Sequence, residues 1–309
     1  MGLEVTTKIG CQCMCEYCPQ TLLVKRYLDK DLKKKKPKKE DLLFTLENFK
    51  KCIETVPTEL PIHFTGYSEP FDNPDADKLI LYAHEKGHPV LVNTTLMGLT
   101  KNKFDRIKHI PFTMFNIHCP SETFKENIGV AKPPKFLPTG QRELSKEWME
   151  LLIYIADHQL PTQNMHCHGG LHPQVKELLP VHIREQYALG ITRGVNDRAQ
   201  AFLEQDDVTN EIVKAIVPPE QNIRGKCNRI YQPVLLPDGR LALCCQDYGL
   251  KHTPGNLLKQ TWQEYRASEE FLQIEAHGAE LCDYCVRGGP DADAGEFKKS
   301  LQQAKAGLI

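Results

Sequence analysis

Three closely spaced cysteines near the start of the chain constrain its fold and chemistry most. The segment Cys11–Cys18 reads CQCMCEYC. Taken through Cys11, Cys15 and Cys18, its spacing is C-x3-C-x2-C. Three thiolates on one short loop can hold three irons of a [4Fe–4S] cube and leave the fourth iron without a protein ligand. Because an open metal position is typical of catalytic sites, the loop predicts a reactive metal centre.

Two alternatives stay open at this loop. Zinc ligands usually come as a C-x2-C pair with a second pair close behind, so zinc fits the spacing less well. Cys13 is a further thiol within the loop, and we interpret it as a non-ligand. The set Cys13-x-Cys15-x2-Cys18 is sterically conceivable as well.

A glycine-containing turn follows the predicted second strand, Pro61–Gly66. The next residues along the chain are Tyr67, Ser68, Glu69 and Pro70. A glycine lets the backbone of a turn come close to a ligand. The acidic residue beside it favours a ligand that carries an ammonium group.

The cysteine loop and this turn together resemble the radical S-adenosylmethionine (SAM) enzymes, and the resemblance covers nearly the whole chain. It implies that SAM chelates the open iron, and that one electron from the cluster splits SAM to a 5'-deoxyadenosyl radical. It further implies that Tyr17 lies beside the adenine and that the backbone of Gly66–Pro70 holds the methionyl amino group. Ser68 stands where the family has a second glycine.

Strand and helix patterns alternate along residues 1–217. We expect strands at Leu3–Ile9, Pro61–Gly66, Pro89–Thr94, Phe112–His118, Gln163–His168 and Gly190–Arg193. We expect helices at Glu40–Val56, Asp75–Lys86, Lys101–Ile107, Ser145–His158 and Pro173–Tyr187. Six such alternations predict an α/β fold, a partial (β/α)6 barrel open on one side.

Polar residues lie at the carboxyl ends of several of these strands. Asn93 and Thr94 end the third strand, Asn116 and His118 the fourth, and Arg193 the sixth. Barrel enzymes place their chemistry at the carboxyl ends of strands, and the resemblance implies that these residues contact SAM or the substrate. Related enzymes often have Ser-x-Asp-Gly-Pro where this chain reads NIHCP, so His118 also fits a hydrogen-bonded histidine without chemistry.

The fifth predicted strand ends in QNMHCH. Because side chains alternate along a strand, Cys167 faces away from both His166 and His168, and no local three-ligand metal site follows. We expect one of these histidines to face the barrel interior, where it either contacts substrate or simply packs.

Residues 218–309 carry a second cysteine pattern. A hairpin-like segment with an Asp-Gly turn, LLPDGRLALCC, follows Cys227, and the spacing Cys227-x11-Gly239-x4-Cys244 resembles the start of the SPASM/twitch extension of the same superfamily. A predicted helix at Trp262–Glu275 then leads to the pair Cys282 and Cys285.

The full SPASM pattern continues with more cysteines than this chain has. The resemblance therefore implies the shortened form, with one auxiliary [4Fe–4S] cluster held by Cys227, Cys244, Cys282 and Cys285. Cys245 competes with Cys244 for this role, and the Gly-x4-Cys spacing favours Cys244. A zinc ribbon is the alternative, since four thiolates also suit zinc.

Composition limits the remaining function classes. The chain has 12 cysteines and no secretory signal, which favours metal sites in a reducing cytoplasm over disulfides. A net charge of −1 argues against nucleic acid as a general partner, and no apolar stretch long enough for a membrane span is present. The lysine-rich run Lys30–Lys39 fits a solvated loop or a docking surface for an acidic partner. The irregular segment Glu122–Leu144 fits a lid.

These observations predict an enzyme that cleaves SAM reductively and abstracts a hydrogen atom from its substrate. Relatives with this kind of extension often modify ribosomally synthesised precursor peptides (RiPP maturation), and the spliceases among them excise a tyramine unit. A peptide substrate predicts a separate leader-recognition (RRE-type) protein, since only ten residues precede Cys11, and an external electron donor. The alternatives are a dehydrogenase of a sugar or other small alcohol, and a non-catalytic iron–sulfur electron carrier or regulator.

Overall fold

The computed structural model describes most of the 309-residue chain: residues 2–15, 18–29, 39–122, 126–130, 142–158, 160, 163–167, 170–179, 191–192 and 227–285. The predictions for Tyr17, His168 and Arg193 lie outside these residues. So do those for most of the lysine-rich run, most of the lid segment, and the boundary at residues 217 and 218.

One mixed sheet organises the described residues. Its strand order is β6-β5-β4-β3-β2-β1-β7-β8-β9. Strands β1 to β6 pair in parallel with their neighbours, β7 also pairs in parallel with β1, and β7-β8-β9 is antiparallel. The strands are Leu3–Val5, Ile62–Phe64, Val90–Thr94, Met114–His118, Gln163–Cys167, Ile191–Thr192, Val234–Leu235, Arg240–Ala242 and Gly255–Asn256. The predicted α/β fold with six successive parallel strands is confirmed.

Eight α-helices accompany the sheet in the described part of the chain. Numbered α1 to α8, they are Gln20–Asp29, Leu46–Ile53, Ala76–Glu85, Lys101–Ile107, Lys146–Asp157, Pro173–Leu178, Trp262–Arg266 and Glu269–His277. Short 3-10 helices lie at Lys39–Leu42, Pro70–Asp72, Asn228–Tyr231 and Glu280–Tyr284. None of these helices combines the length and the apolar character that a membrane crossing needs.

Capping side chains set the starts of α2 and α8, where the predicted helix bounds differ from the structure. Thr45 accepts a hydrogen bond from the amide of Asn48 at 3.2 Å, so α2 begins at Leu46 and not at Glu40. The single predicted helix at Trp262–Glu275 is wrong. Ser268 interrupts it and caps α8 by accepting from the amide of Phe271. Helix α1 was not predicted from the sequence.

The helices pack an apolar core against one face of the sheet. Val92 on β3 and Phe115 and Ile117 on β4 are fully buried on this face. Phe115 packs edge-on against Phe104 of α4, with ring centroids 5.9 Å apart. Because side chains alternate along a strand, Asn116 points to the opposite face, which is the inside of the partial barrel. The fold thus turns the polar residues of β4 inward.

A small polar network closes the amino-terminal side of this interior. Gln232 donates through Nε2 to Glu4 Oε1 at 2.9 Å and to His63 Nδ1 at 2.8 Å. His63 must therefore keep Nδ1 unprotonated to accept this bond. Burial, together with the nearby positive charge of Arg229, lowers the pKa of His63 to about 4.

The lowered pKa of His63 predicts a loss of stability in acid. A group whose pKa is lower in the folded than in the unfolded state stabilises the fold above its unfolded pKa, here 6.5, and this contribution is lost as the pH falls towards 4. We expect His63→Asn, whose carboxamide can accept the Gln232 bond, to reduce the pH-dependent loss of unfolding free energy by about 2 kcal/mol. Urea denaturation between pH 7 and pH 4 measures this loss. The exposed His109→Asn is the control, and equal acid sensitivity of the two variants would contradict the prediction.

Candidate active site

The predicted cluster cysteines lie on a tight loop that follows β1. The amide of Cys18 donates to the carbonyl of Cys15 at 3.0 Å. Cys11, Cys15 and Cys18 are all partly exposed, whereas Cys13 is only 2% exposed. The Cys13 sulfur lies 3.2 Å from Thr95 Oγ1 in the protein interior. This placement supports the interpretation of Cys13 as a non-ligand.

Cys13 also acts on its neighbour Cys11. A hydrogen bond from the Cys13 side chain lowers the pKa of Cys11, against the opposing effect of burial. The same bond, with burial, raises the pKa of Cys13 well above the ordinary value. Since thiolates and not thiols bind iron, this pair favours Cys11 as the ligand of the two.

The glycine turn lies directly against the end of β1. A Cβ atom on Gly66 would lie 2.7 Å from the carbonyl oxygen of Val5 and still closer to the hydroxyl of Thr6, so only glycine fits here. The Gly66 backbone also has φ +32°, in the left-handed region. The amide of Tyr67 donates to Thr6 Oγ1 at 2.9 Å. The predicted SAM-binding turn and the cysteine loop therefore extend from neighbouring strands at the same edge of the sheet.

Two buried hydroxyls at this turn have no hydrogen-bond partner among the described residues. They are Thr65 Oγ1 and Ser68 Oγ. Leaving a buried hydroxyl unpaired costs about 1–3 kcal/mol. A polar ligand at the turn would supply the missing partners, which fits the predicted binding of the methionyl amino group of SAM. Beside the turn, Gln20 donates through Nε2 to the carbonyl of Tyr67 and to the Cys18 sulfur.

The carboxylate of Glu69 is buried and holds the end of β3. It accepts hydrogen bonds from Thr94 Oγ1 at 2.7 Å, from the Thr95 amide and Oγ1 at 2.6 Å each, and from the Phe71 amide at 3.1 Å. Burial raises the pKa of Glu69 to about 7, and the bonds from Thr95 and Thr94 oppose that shift. Thr94, predicted to contact the cofactor, thus positions Glu69. Pro70 is buried and begins the 3-10 helix that follows.

The inward-facing side chains form a chain of hydrogen bonds across three strands. Asn116 donates through Nδ2 to Asn93 Oδ1 at 2.7 Å, and Asn116 Oδ1 lies 3.0 Å from His166 Nδ1. The rings of His118 and His166, opposite each other on β4 and β5, stack with centroids 4.6 Å apart and planes 13° apart. The structure brings Asn93, Asn116 and His118 together. The pairing of His118 with His166 was not predicted from the sequence. The pattern that could have indicated it is a histidine near the end of each of two consecutive strands.

The four cysteines predicted to hold an auxiliary cluster line one cavity. Cys227, Cys244, Cys282 and Cys285 meet there with five other residues: Arg229, Ile230, Leu243, Gln246 and Leu281. Burial raises the pKa of Cys244 well above its ordinary value. Cys245 does not line this cavity and instead packs against the buried cluster that contains Tyr67 and Tyr248. The cavity therefore favours Cys244 over Cys245.

The donor sets fit clusters in both places. Four thiols around a cavity and three on a loop are the ligand sets of iron–sulfur cubes. In the described part of the chain, no three Cys, His, Asp or Glu side chains are close enough together to hold a single metal ion. In a cube each thiolate binds a different iron, so a cluster does not require that closeness.

Comparisons with known proteins show which solved structures share the fold of this chain. No protein-family model and no curated protein matches the sequence. Among solved structures, BtrN in complex with AdoMet and 2-DOIA aligns with a TM-score of 0.55 and 14% identity over 92% of both chains. Native anSMEcpe with bound AdoMet aligns with a TM-score of 0.54 and 13% identity over 100% of this chain and 98% of that one. The chain therefore shares the fold of BtrN and anSMEcpe. Streptococcus suis SuiB bound to S-adenosylmethionine aligns at 0.50 and 12% identity, over 92% of this chain and 70% of SuiB.

The Glu69 network predicts a measurable cost of substitution. In Glu69→Gln, an NH2 group replaces one carboxylate oxygen and cannot accept the two hydrogen bonds that this oxygen accepts, so two buried donors lose their acceptor. We expect the free energy of unfolding to fall by about 1–3 kcal/mol above pH 7, where the wild-type carboxyl is ionised. Urea denaturation checks this value. The exposed Glu59→Gln serves as the matched control, and equal stability of the two variants would overturn the assigned role.

Proposed function

We propose that the protein is a radical SAM enzyme. Cys11, Cys15 and Cys18 would hold a [4Fe–4S] cluster, and the turn Gly66–Pro70 would bind SAM beside it. One observation carries this proposal: the cysteine loop and the glycine turn leave adjacent parallel strands at the same edge of the sheet, in contact through Thr6. The bound cluster would supply the electron that cleaves SAM to a 5'-deoxyadenosyl radical.

The chain's own residues would bind and orient the reactants. Ser68 Oγ and the backbone around Gly66 would receive the methionyl end of SAM. Tyr17 and Arg193 belong to the same predicted SAM site. Glu69 joins the turn to the end of β3 through its hydrogen bonds with Thr94 and Thr95. The cavity lined by Cys227, Cys244, Cys282 and Cys285 would hold an auxiliary [4Fe–4S] cluster, as in the SPASM/twitch extension, which the predicted boundary places in a domain of residues 218–309.

For the substrate, we propose a ribosomally made precursor peptide. Asn93, Asn116 and Asn164 are in register on β3, β4 and β5. Carboxamides both donate and accept hydrogen bonds and so match peptide groups. Excision of a tyramine unit, as by the spliceases, is the specific reaction proposed. A separate leader-recognition protein and an external electron donor complete this proposal.

A small alcohol is the second candidate substrate. BtrN, which shares the fold over 92% of both chains, was solved in complex with the small molecule 2-DOIA. The same row of asparagines can bind the hydroxyls of a sugar-like ligand. An electron carrier is disfavoured, because the buried Ser68 hydroxyl of the glycine turn, which has no hydrogen-bond partner among the described residues, suits a turn that binds a polar ligand such as SAM.

Serine substitutions test the two metal sites. Protein reconstituted under anaerobic conditions with iron and sulfide should contain about eight irons if both cubes form. We expect Cys11→Ser, Cys15→Ser or Cys18→Ser to lower this content to about four and to abolish SAM cleavage, while Cys13→Ser retains both. Cys244→Ser should likewise lose about four irons, and Cys245→Ser should lose none.

Iron and zinc analysis together with an assay for 5'-deoxyadenosine give these readouts. SAM cleavage that persists in the Cys11, Cys15 and Cys18 variants would refute the central assignment. About four irons with one zinc in the wild-type protein would refute the auxiliary cluster.

The mass of a co-expressed peptide distinguishes the substrates. We expect a precursor peptide encoded beside this gene, produced with this protein and any small neighbouring protein, to lose a fragment the size of tyramine. Loss of two hydrogens would instead indicate a crosslink or a dehydrogenation. An unchanged peptide mass, with SAM still cleaved, would contradict the peptide proposal and favour the small alcohol.

A further inference from the structure

Two tyrosines connect the predicted SAM-binding turn to the C-terminal cavity. The hydroxyl of Tyr67 donates to the backbone carbonyl of Cys244 at 2.6 Å and lies 3.2 Å from that of Asp247. The ring of Tyr67 packs against that of Tyr248 with centroids 4.7 Å apart. Both tyrosines are buried. A continuous path of contacts therefore runs from the turn to a cysteine of the cavity wall.

Tyr248 reaches the N-terminal cysteine loop as well. Its hydroxyl lies 3.5 Å from the sulfur of Cys18. A protonated Cys18 thiol donates a hydrogen bond to the phenol oxygen. A thiolate bound to iron has no proton, so the same contact then requires the Tyr248 hydroxyl to donate to the sulfur.

We propose that Tyr248 donates a hydrogen bond to the Cys18 sulfur and thereby raises the reduction potential of the N-terminal cluster. The inference rests on the proposed function, because it needs Cys18 as a cluster ligand. Reduction adds negative charge to a cluster, and a hydrogen bond to one of its sulfurs stabilises that charge. Tyr248 is then a positioning and tuning residue that the C-terminal module contributes to the first metal site.

Geometry distinguishes this role from simple packing. Tyr265, in the same module, is fully buried, and its hydroxyl has no hydrogen-bond partner among the described residues. Removing that hydroxyl alters a buried tyrosine but removes no contact with either set of cysteines. Tyr265→Phe is therefore the matched control for Tyr248→Phe.

The experiment is an anaerobic redox titration of the reconstituted full-length protein, followed by electron paramagnetic resonance. The N-terminal cluster is identified as the signal that changes when SAM is added. For Tyr248→Phe we expect the equilibrium constant for one-electron reduction to fall three- to tenfold, about 30 to 59 mV more negative. Iron content and SAM affinity should match the wild type. Tyr265→Phe should keep the wild-type potential.

The outcomes separate the two levels of the proposal. A wild-type protein without a SAM-responsive cluster signal would refute the proposed function, and this inference with it. A normal cluster whose potential is unchanged in Tyr248→Phe would refute the tuning role alone. Equal shifts in Tyr248→Phe and Tyr265→Phe would assign the effect to packing and also overturn the inference.

Discussion

The arrangement of the candidate site depends on one buried carboxylate. Glu69 follows the glycine turn after β2, and its two oxygens accept hydrogen bonds from Thr94 and Thr95 at the end of β3. Thr95 in turn contacts the Cys13 sulfur of the loop after β1 and, through its carbonyl, accepts from Trp148 Nε1 of α5. The segments that follow β1, β2 and β3 are thus joined by hydrogen bonds through Glu69 and Thr95. These bonds, with one from the Phe71 amide, offset part of the cost of burying the carboxylate.

Local sequence patterns predicted the strands, most helices and the two sets of cysteines, because these depend on residues close together in the chain. The bounds of α4 agree with the prediction for Lys101–Ile107. The contacts that refine the site could not be predicted in the same way. Cys18 and Tyr248 are 230 residues apart, and Glu69 and Thr95 are 26 apart, so nothing in either local pattern indicates their partners.

The stacked histidines show how topology adds information to a motif. Sequence alternation indicated that His166 and Cys167 face opposite sides, but the partner of His166 depends on the register between β4 and β5. That register places His118 directly opposite. The two rings then stack with centroids 4.6 Å apart.

The protein positions its cysteine loop through its own hydrogen bonds. Thr6 donates its amide to the carbonyl of Leu235 on β7 at 2.9 Å and accepts from Tyr67 through its hydroxyl. Thr7 donates through Oγ1 to the carbonyl of Pro70 at 2.7 Å, and its own carbonyl accepts from Asn73. Two consecutive residues after β1 thus bind the glycine turn on one side and the C-terminal hairpin on the other. These bonds fix the backbone on both sides just before Cys11. The cysteine loop is therefore already positioned to bind a cluster.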